Sequence, residues 1–202
     1  IANIAEAIPG ANAFDIFKGV YLDKRLNPFV SNKRVNPNIL SYLSPGCGFG
    51  GSCFPKDVKA LMAFAKKKKY NPAILNAVLD INKKQPLRLV DLAEKKLGSL
   101  KNKKIAVLGV AFKPDTDDIR ESPAIFVIKE FIRRGAEASV YDPVVSARQV
   151  SSMLKGVRFF NSVTEVLKGK DACVLVTNWK EFKKITPQLL KKEMKNPLMI
   201  DG

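Results

Sequence analysis

Ile105-Ala-Val-Leu-Gly-Val-Ala-Phe112 is a run of eight residues with no polar side chain. A strand with one wet face alternates apolar and polar residues. This run does not, so it reads as a strand buried on both faces, as in a parallel sheet covered by helices. The downstream sequence agrees. Ser122-Pro123 predicts a helix N-cap with proline at the first helical position, and Gly135 a stop just after Arg134. Ala138-Ser-Val-Tyr-Asp142, Val157–Phe160, Ala172-Cys-Val-Leu-Val-Thr177 and Leu198-Met-Ile-Asp201 predict four more strands, with helical segments between them. Strands alternating with helices predict an α/β fold with a Rossmann-like parallel sheet.

Upstream of this run the chain reads as helical around one special loop. Residues 1–8 predict a helix stopped by Pro9-Gly10, and 12–22 a second with Phe14, Phe17, Val20 and Tyr21 on helical spacing. Residues 23–45 hold three prolines and four asparagines and read as mostly loop. A glycine-rich stretch then leads into a helix to about Lys68. A longer helix is predicted over 72–97, with Pro86 inside it as a kink or split and Gly98 as its cap. The expected division is a helical domain over residues 1–100 and an α/β domain over 101–202.

Composition narrows the chemistry. The 202 residues contain no histidine, which removes Ser-His-Asp and Cys-His triads and histidine-bound metal. The three cysteines, an odd number, argue for a reducing, cytoplasmic setting rather than a disulfide framework. The absence of eighteen consecutive apolar residues predicts no membrane span. The net charge of +16 invites a nucleic-acid reading. However, residues 1–100 carry 16 Lys/Arg against 7 Asp/Glu, and 101–202 carry 19 against 12. An excess spread this evenly reads as a lysine-rich solvated surface, with no nucleic-acid partner expected. Part of it is free to draw an anionic ligand.

The sharpest chemistry lies in Gly46-Cys-Gly-Phe-Gly-Gly-Ser-Cys-Phe-Pro-Lys-Asp57. Its four glycines permit positive φ and close approach of a ligand to the backbone. Pro55 suits the start of the next helix, which places Cys53 just before that start. There the helix dipole and Lys56 both favour a thiolate, the environment of a nucleophilic cysteine. Asp57, in the first turn, is placed to orient a water or take a proton. Cys47 and Cys173 read as small buried hydrophobes, Trp179 as packing or surface, and no zinc site is expected.

The stretch Gly48-Phe-Gly-Gly-Ser-Cys-Phe-Pro-Lys-Asp57 resembles the active-site motif of the UDP-glucose/GDP-mannose dehydrogenase family. Val107-Leu-Gly-Val-Ala-Phe-Lys-Pro-Asp-Thr-Asp-Asp-Ile-Arg-Glu-Ser-Pro123 resembles the opening of that family's C-terminal nucleotide-sugar domain, and Tyr141-Asp-Pro143 also fits. The resemblance covers essentially the whole chain. The Ser-Cys-Phe-Pro-Lys-Asp wording is most like the branch that oxidises UDP-glucose. Arg34-Val-Asn36 resembles the N-acetylhexosamine branch instead, which usually has His-Cys where this chain has Ser52-Cys53.

The resemblance implies oxidation of a sugar C6 alcohol to a carboxylate with two NAD⁺, through a cysteine thiohemiacetal and thioester. By position it implies Cys53 as nucleophile and Asp57 as the aspartate assisting water and proton transfer. It places Lys56 and Arg120 near the cofactor, and Tyr42, Leu43, Phe49, Gly50, Phe112 and Lys113 against a UDP-sugar. It also implies an arginine reaching across from a second subunit, with Arg25 and Arg34 as competing candidates. The helices over 72–97 resemble the family's dimer-forming region, so a homodimer is expected. As residues alone, Lys113 also suits a solvated loop, Arg120 an ion pair with Asp117 or Glu121, and Tyr42 a core aromatic. The family begins with a separate NAD-binding domain, for which this chain shows no counterpart. The expectation is therefore a central and C-terminal portion of a larger enzyme, inactive alone; a non-catalytic UDP-sugar-binding and dimerisation module is the competing reading.

Overall fold

The computed structural model describes every residue except Asn36, and of Asn38 and Ser41 the backbone alone. The chain forms two compact units, Ile1–Gly46 and Cys47–Gly202.

In the first unit, α1 (Ala2–Ala5) is shorter than the helix expected over 1–8. The helix α2 (Ala13–Val20) is capped by Asn12, whose side chain accepts from the Phe14 N–H. The stretch read as loop contains a small hairpin, β1 (Phe29–Val30) and β2 (Lys33–Arg34), and a 3-10 helix over Asn38–Leu43. Ser31 and Asn32 both have positive φ, which a two-residue hairpin turn requires. Two-residue strands leave too little alternation in the sequence to be seen.

The second unit is built on the apolar run at 105–112. β3 (Lys104–Leu108) stops four residues short of Phe112, because Gly109 turns the chain at φ +84. A side chain could not replace that glycine, since a Cβ there would lie 2.5 Å from the Thr177 Cβ. The remaining strands are β4 (Glu137–Tyr141), β5 (Arg158–Phe159), β6 (Ala172–Leu175) and β7 (Met199–Asp201). They form one parallel sheet in the order β5-β4-β3-β6-β7. Right-handed crossovers then put α6 (Pro123–Arg133) on one face and α8 (Val163–Leu167) on the other. α7 (Ala147–Met153) and α9 (Pro187–Glu193) complete the alternation. Val107, Leu108, Val127, Ile128, Phe131 and Val140 are buried completely, each contributing roughly 1.5–3 kcal/mol of hydrophobic stabilisation.

The helix expected over 72–97 is split at Pro86 into α4 (Ala73–Lys84) and α5 (Leu87–Leu97). Proline lacks the N–H that would continue the ladder and serves as the N-cap of α5. Gly98 ends α5 at φ +77. α5 buries Leu89, Val90 and Ala93 and packs on α6 and β7, so α5 shares the core of the sheet. α3 (Phe54–Lys67) packs on α4 and carries the glycine-rich loop at its N-terminus. Among the described residues, no helix is long and apolar enough to cross a membrane.

Candidate active site

Three segments of the second unit meet around Cys53. The first is the glycine-rich loop. Gly51 donates its N–H to the Arg120 carbonyl at 2.9 Å. Gly50 and Gly51 are buried, and their missing side chains are what allow the loop to seat. A Cβ on Gly50 would sit against the Glu121 carbonyl, 2.9 Å from its carbon, and one on Gly51 would lie 2.8 Å from the Phe112 ring. Gly51 also has φ +80. The glycines at 46, 48 and 51 have the spacing of a dinucleotide fingerprint, but the segment before them is a 3-10 helix rather than the strand that fingerprint needs.

Cys53 is the N-cap of α3 and exposed, with Pro55 one position further into the helix than expected. The Asp57 N–H donates to the Cys53 carbonyl at 2.8 Å, and the Ser52 hydroxyl lies 3.8 Å from Sγ. Lys56 and Asp57, both exposed, pair at 3.3 Å. Cys47 and Cys173 are buried, and burial pushes their thiols up to about 11 and about 12. Only Cys53 is accessible.

The second segment is the β3–α6 connection. Phe112 stands against Gly50 and Gly51, and the exposed Lys113 ammonium lies 5.5 Å from the centre of its ring. Arg120 pairs with neither Asp117 nor Glu121. Its guanidinium grips Asp118 with two bonds of 2.9 and 2.8 Å. That bond, ahead of the charge on Asp118, holds the guanidinium above its ordinary value, and Cys53 contributes the smallest share. Asp117 instead accepts from the Gln149 amide, and Glu121 pairs with Lys59 at 3.7 Å. Arg120, Lys56, Gly51 and Ser52 line one open depression of about 610 Å³.

The third segment escaped the sequence reading. Asn82, on α4, donates to the Phe49 carbonyl at 2.9 Å and accepts from the Phe49 N–H at 2.7 Å. Gly48, at φ +113, leaves room for this amide, whose oxygen would lie 2.8 Å from a Cβ there. Phe49 packs edge-on against Phe54 at 6.1 Å. No local signal marks Asn82, because its partner is thirty-three residues away. Asp142 was also missed as a support. Buried at the end of β4, it accepts from the Val110 and Ala111 N–H groups and from the Trp179 indole, which fixes the turn leading to Phe112. Trp179 is buried packing that also donates a hydrogen bond.

The remaining candidates lie in the first unit. Tyr42 and Leu43 are in the 3-10 helix, and Tyr42 is 71% exposed, not a core aromatic. Arg25 is held by Asp23 through both carboxylate oxygens. The Arg34 guanidinium lies 5.3 Å from the Phe29 ring centre. Asn36 lies outside the described residues. Among those described, no group of histidine, cysteine or acidic residues is arranged to hold a metal.

Comparison with known proteins is consistent along the chain. Residues 1–84 match the model of the UDP-glucose/GDP-mannose dehydrogenase family, central domain, and residues 106–202 that family's UDP binding domain. The UDP-glucose 6-dehydrogenase TuaD of Bacillus subtilis is 36% identical over 100% of this chain and 41% of its own length. A UDP-glucose dehydrogenase structure from the archaeon Pyrobaculum islandicum superposes with a TM-score of 0.80 at 31% identity, over 96% of this chain and 40% of that one. The UDP-D-ManNAc dehydrogenase structure from Pyrococcus horikoshii gives 0.77 at 28%, over 100% of this chain and 42% of that one. The chain thus spans about two fifths of the length of these relatives. With two successive domains of one family matched along the chain, the chain belongs to the UDP-glucose/GDP-mannose dehydrogenase family.

Proposed function

We propose that this chain supplies the central and UDP-binding portions, residues 1–100 and 101–202, of an NAD-dependent UDP-glucose 6-dehydrogenase. The observation that carries the reading is Cys53: the one accessible thiol, at the start of α3, beside a loop seated on Phe112 and Glu121. Lys56 and Arg120 offer two cations to one depression, donor chemistry that fits one side of a dinucleotide pyrophosphate. NAD⁺ held there would supply the two-electron oxidising power for both oxidations, and Asp57 passes the hydroxyl proton released in each to water.

The chain's own residues do the rest. Cys53 Sγ bonds to C6 of the aldehyde, and its proton passes to the carbonyl oxygen, giving a thiohemiacetal. After the second oxidation Sγ holds an acyl group. A water oriented by Asp57 attacks that carbon; the C6–S bond breaks, the thiol regains its proton and the uronate leaves. Phe49, Gly50 and Phe112 contact the nucleotide sugar, and Lys113 offsets its diphosphate. Arg25 or Arg34 reaches a second subunit's site. The exposed Leu61 and Phe64 of α3 and Ile74 and Ile81 of α4 support a homodimer through these helices. The proposed setting is cytoplasmic.

The test is NADH release by the full-length protein, with UDP-glucose and UDP-N-acetylmannosamine compared. Cys53→Ser should abolish release of the uronate; wild-type turnover by that variant would refute the covalent role. The likeness to the Pyrococcus horikoshii protein favours the N-acetylmannosamine substrate as second reading, and preferential turnover of it would install that one. Tight UDP binding with no NADH from any nucleotide sugar would leave a binding module.

A further inference from the structure

Across the sheet from the glycine-rich loop, the N-terminal ends of the parallel strands enclose a second cavity of about 540 Å³. Lys104 begins β3, Glu137 begins β4, Arg158 begins β5, and Lys170 lies just before β6. Lys155 and Lys168 complete the cationic lining, against Glu137 and Glu165 alone as acids. Positive charge therefore exceeds negative by three around one cavity.

Lys170 sets this cluster apart from a merely lysine-rich surface. It is 8% exposed, and a buried ammonium is ordinarily paired with a carboxylate. Here its Nζ donates to the Ser139 hydroxyl at 3.0 Å and lies 5.1 Å from the Phe160 ring centre. Among the described residues no carboxylate forms an ion pair with Lys170, nor with Lys104, Lys155, Arg158 or Lys168. Burial first, then Arg158 and Lys104, holds its ammonium below the ordinary lysine value, with Glu137 acting against them. An anion in the cavity would meet the ammonium's two remaining N–H groups and relieve the repulsion among the cations.

We propose that this cavity is a binding site for a phosphate-bearing small molecule of two or more negative charges, seated on Lys170 and Arg158 at the end of the sheet opposite the catalytic loop. Arg158 brings the planar donor fork that suits a phosphate, and the lysines bring point charges. The volume lies in the range of small-molecule sites.

The test is calorimetric titration of the full-length protein with inorganic pyrophosphate at constant ionic strength. It is run with and without saturating UDP, so that a diphosphate site at the other end of the sheet is filled independently. Saturable binding that persists in UDP is expected, weakened about tenfold or more in Lys170→Met and in Arg158→Ala, as loss of a charge-assisted hydrogen bond implies. Arg158 is exposed, so its variant carries the test should Lys170→Met fail to fold. Absence of saturable binding in the wild type, or equal binding by wild type and both variants, overturns the site. Failure of UDP to bind bears on the proposed dehydrogenase reading and leaves this test standing.

Discussion

Asn82 holds Phe49 by both backbone groups, accepting from its N–H at 2.7 Å and donating to its carbonyl at 2.9 Å. One side chain on α4 thus does what a neighbouring strand would do and sets the loop four residues ahead of Cys53. Asn82→Ala removes both bonds and leaves two partly buried backbone groups short of a partner. A loss of about 1–3 kcal/mol is expected in chemical denaturation. Asn82→Asp keeps the acceptor and loses the donor, so it should fall between. Hydrogen exchange at the Phe49 amide separates loosening of the loop from global unfolding. Unchanged exchange in Asn82→Ala would show that the grip does not order the loop.

Gly50 is where the loop tolerates least. A Cβ there meets backbone atoms of Glu121, which cannot swing aside. Gly50→Ala should cost roughly 1–3 kcal/mol or more and lower turnover of the full-length protein. Gly46→Ala is the control, because nothing lies within 4 Å of its added Cβ. Equal melting temperatures for the two variants would show that the loop relaxes instead.

These two residues mark how far the sequence can be read. The apolar run at 105–112, the Ser122 cap, the break at Pro86 and the junction at Cys53 are all local signals, and each appears in the structure near its expected place. The grip of Asn82 on Phe49 and the cradle formed by Phe112 and Glu121 join segments far apart in the chain. No periodicity announces such contacts. Lys170 is invisible for the same reason: a lysine among many becomes unusual only when the fold buries it. The hairpin at 29–34 is missed because two-residue strands carry no pattern.

The cysteines make a prediction about reactivity. Cys53 is exposed, whereas burial pushes Cys47 up to about 11 and Cys173 up to about 12. Brief iodoacetamide treatment of the native protein near pH 8 should label Cys53 and leave the other two within this chain untouched. Peptide mass spectrometry reads the result, with labelling in denaturant as the reference. Labelling of Cys173 at the rate of Cys53 would mean the sheet opens readily.

Arg134, at the end of α6, joins three carboxylates at 2.7 Å each: Glu130 on its own helix, and Asp91 and Glu94 on α5. Arg133 and Arg134 hold Glu130 down to about 2 from an ordinary 4.5, the hydrogen bond to Arg133 acting most strongly. A depressed carboxylate stabilises the fold above its unfolded value and loses that contribution as pH falls through the folded one. The loss should therefore run from about pH 4.5 to about 2. Arg134→Gln should destabilise by about 1–3 kcal/mol at neutral pH and flatten this acid dependence, Arg133 retaining part of it. Denaturation series at several pH values measure both. A variant as acid-sensitive as the wild type would remove Arg134 from the effect.

Asp142 offers the clearest optical test. Its two oxygens accept from the N–H groups of Val110, Ala111, Val144 and Val145 and from the Trp179 indole, five donors around one buried carboxylate. Asp142→Asn replaces one acceptor oxygen with an amide that points hydrogens at hydrogens. A loss of roughly 2–4 kcal/mol is expected from breaking charge-assisted bonds and stranding buried donors. Trp179 is the single tryptophan in these 202 residues, so in this chain its fluorescence reports the site directly. If the carboxylate clamps the turns after β3 and β4 together, the substitution shifts the emission of the folded protein to longer wavelength at denaturant concentrations well below the unfolding midpoint. Emission that stays native until global unfolding would mean the indole is held by packing alone, and that Asp142 stabilises the fold without ordering the turn that carries Phe112.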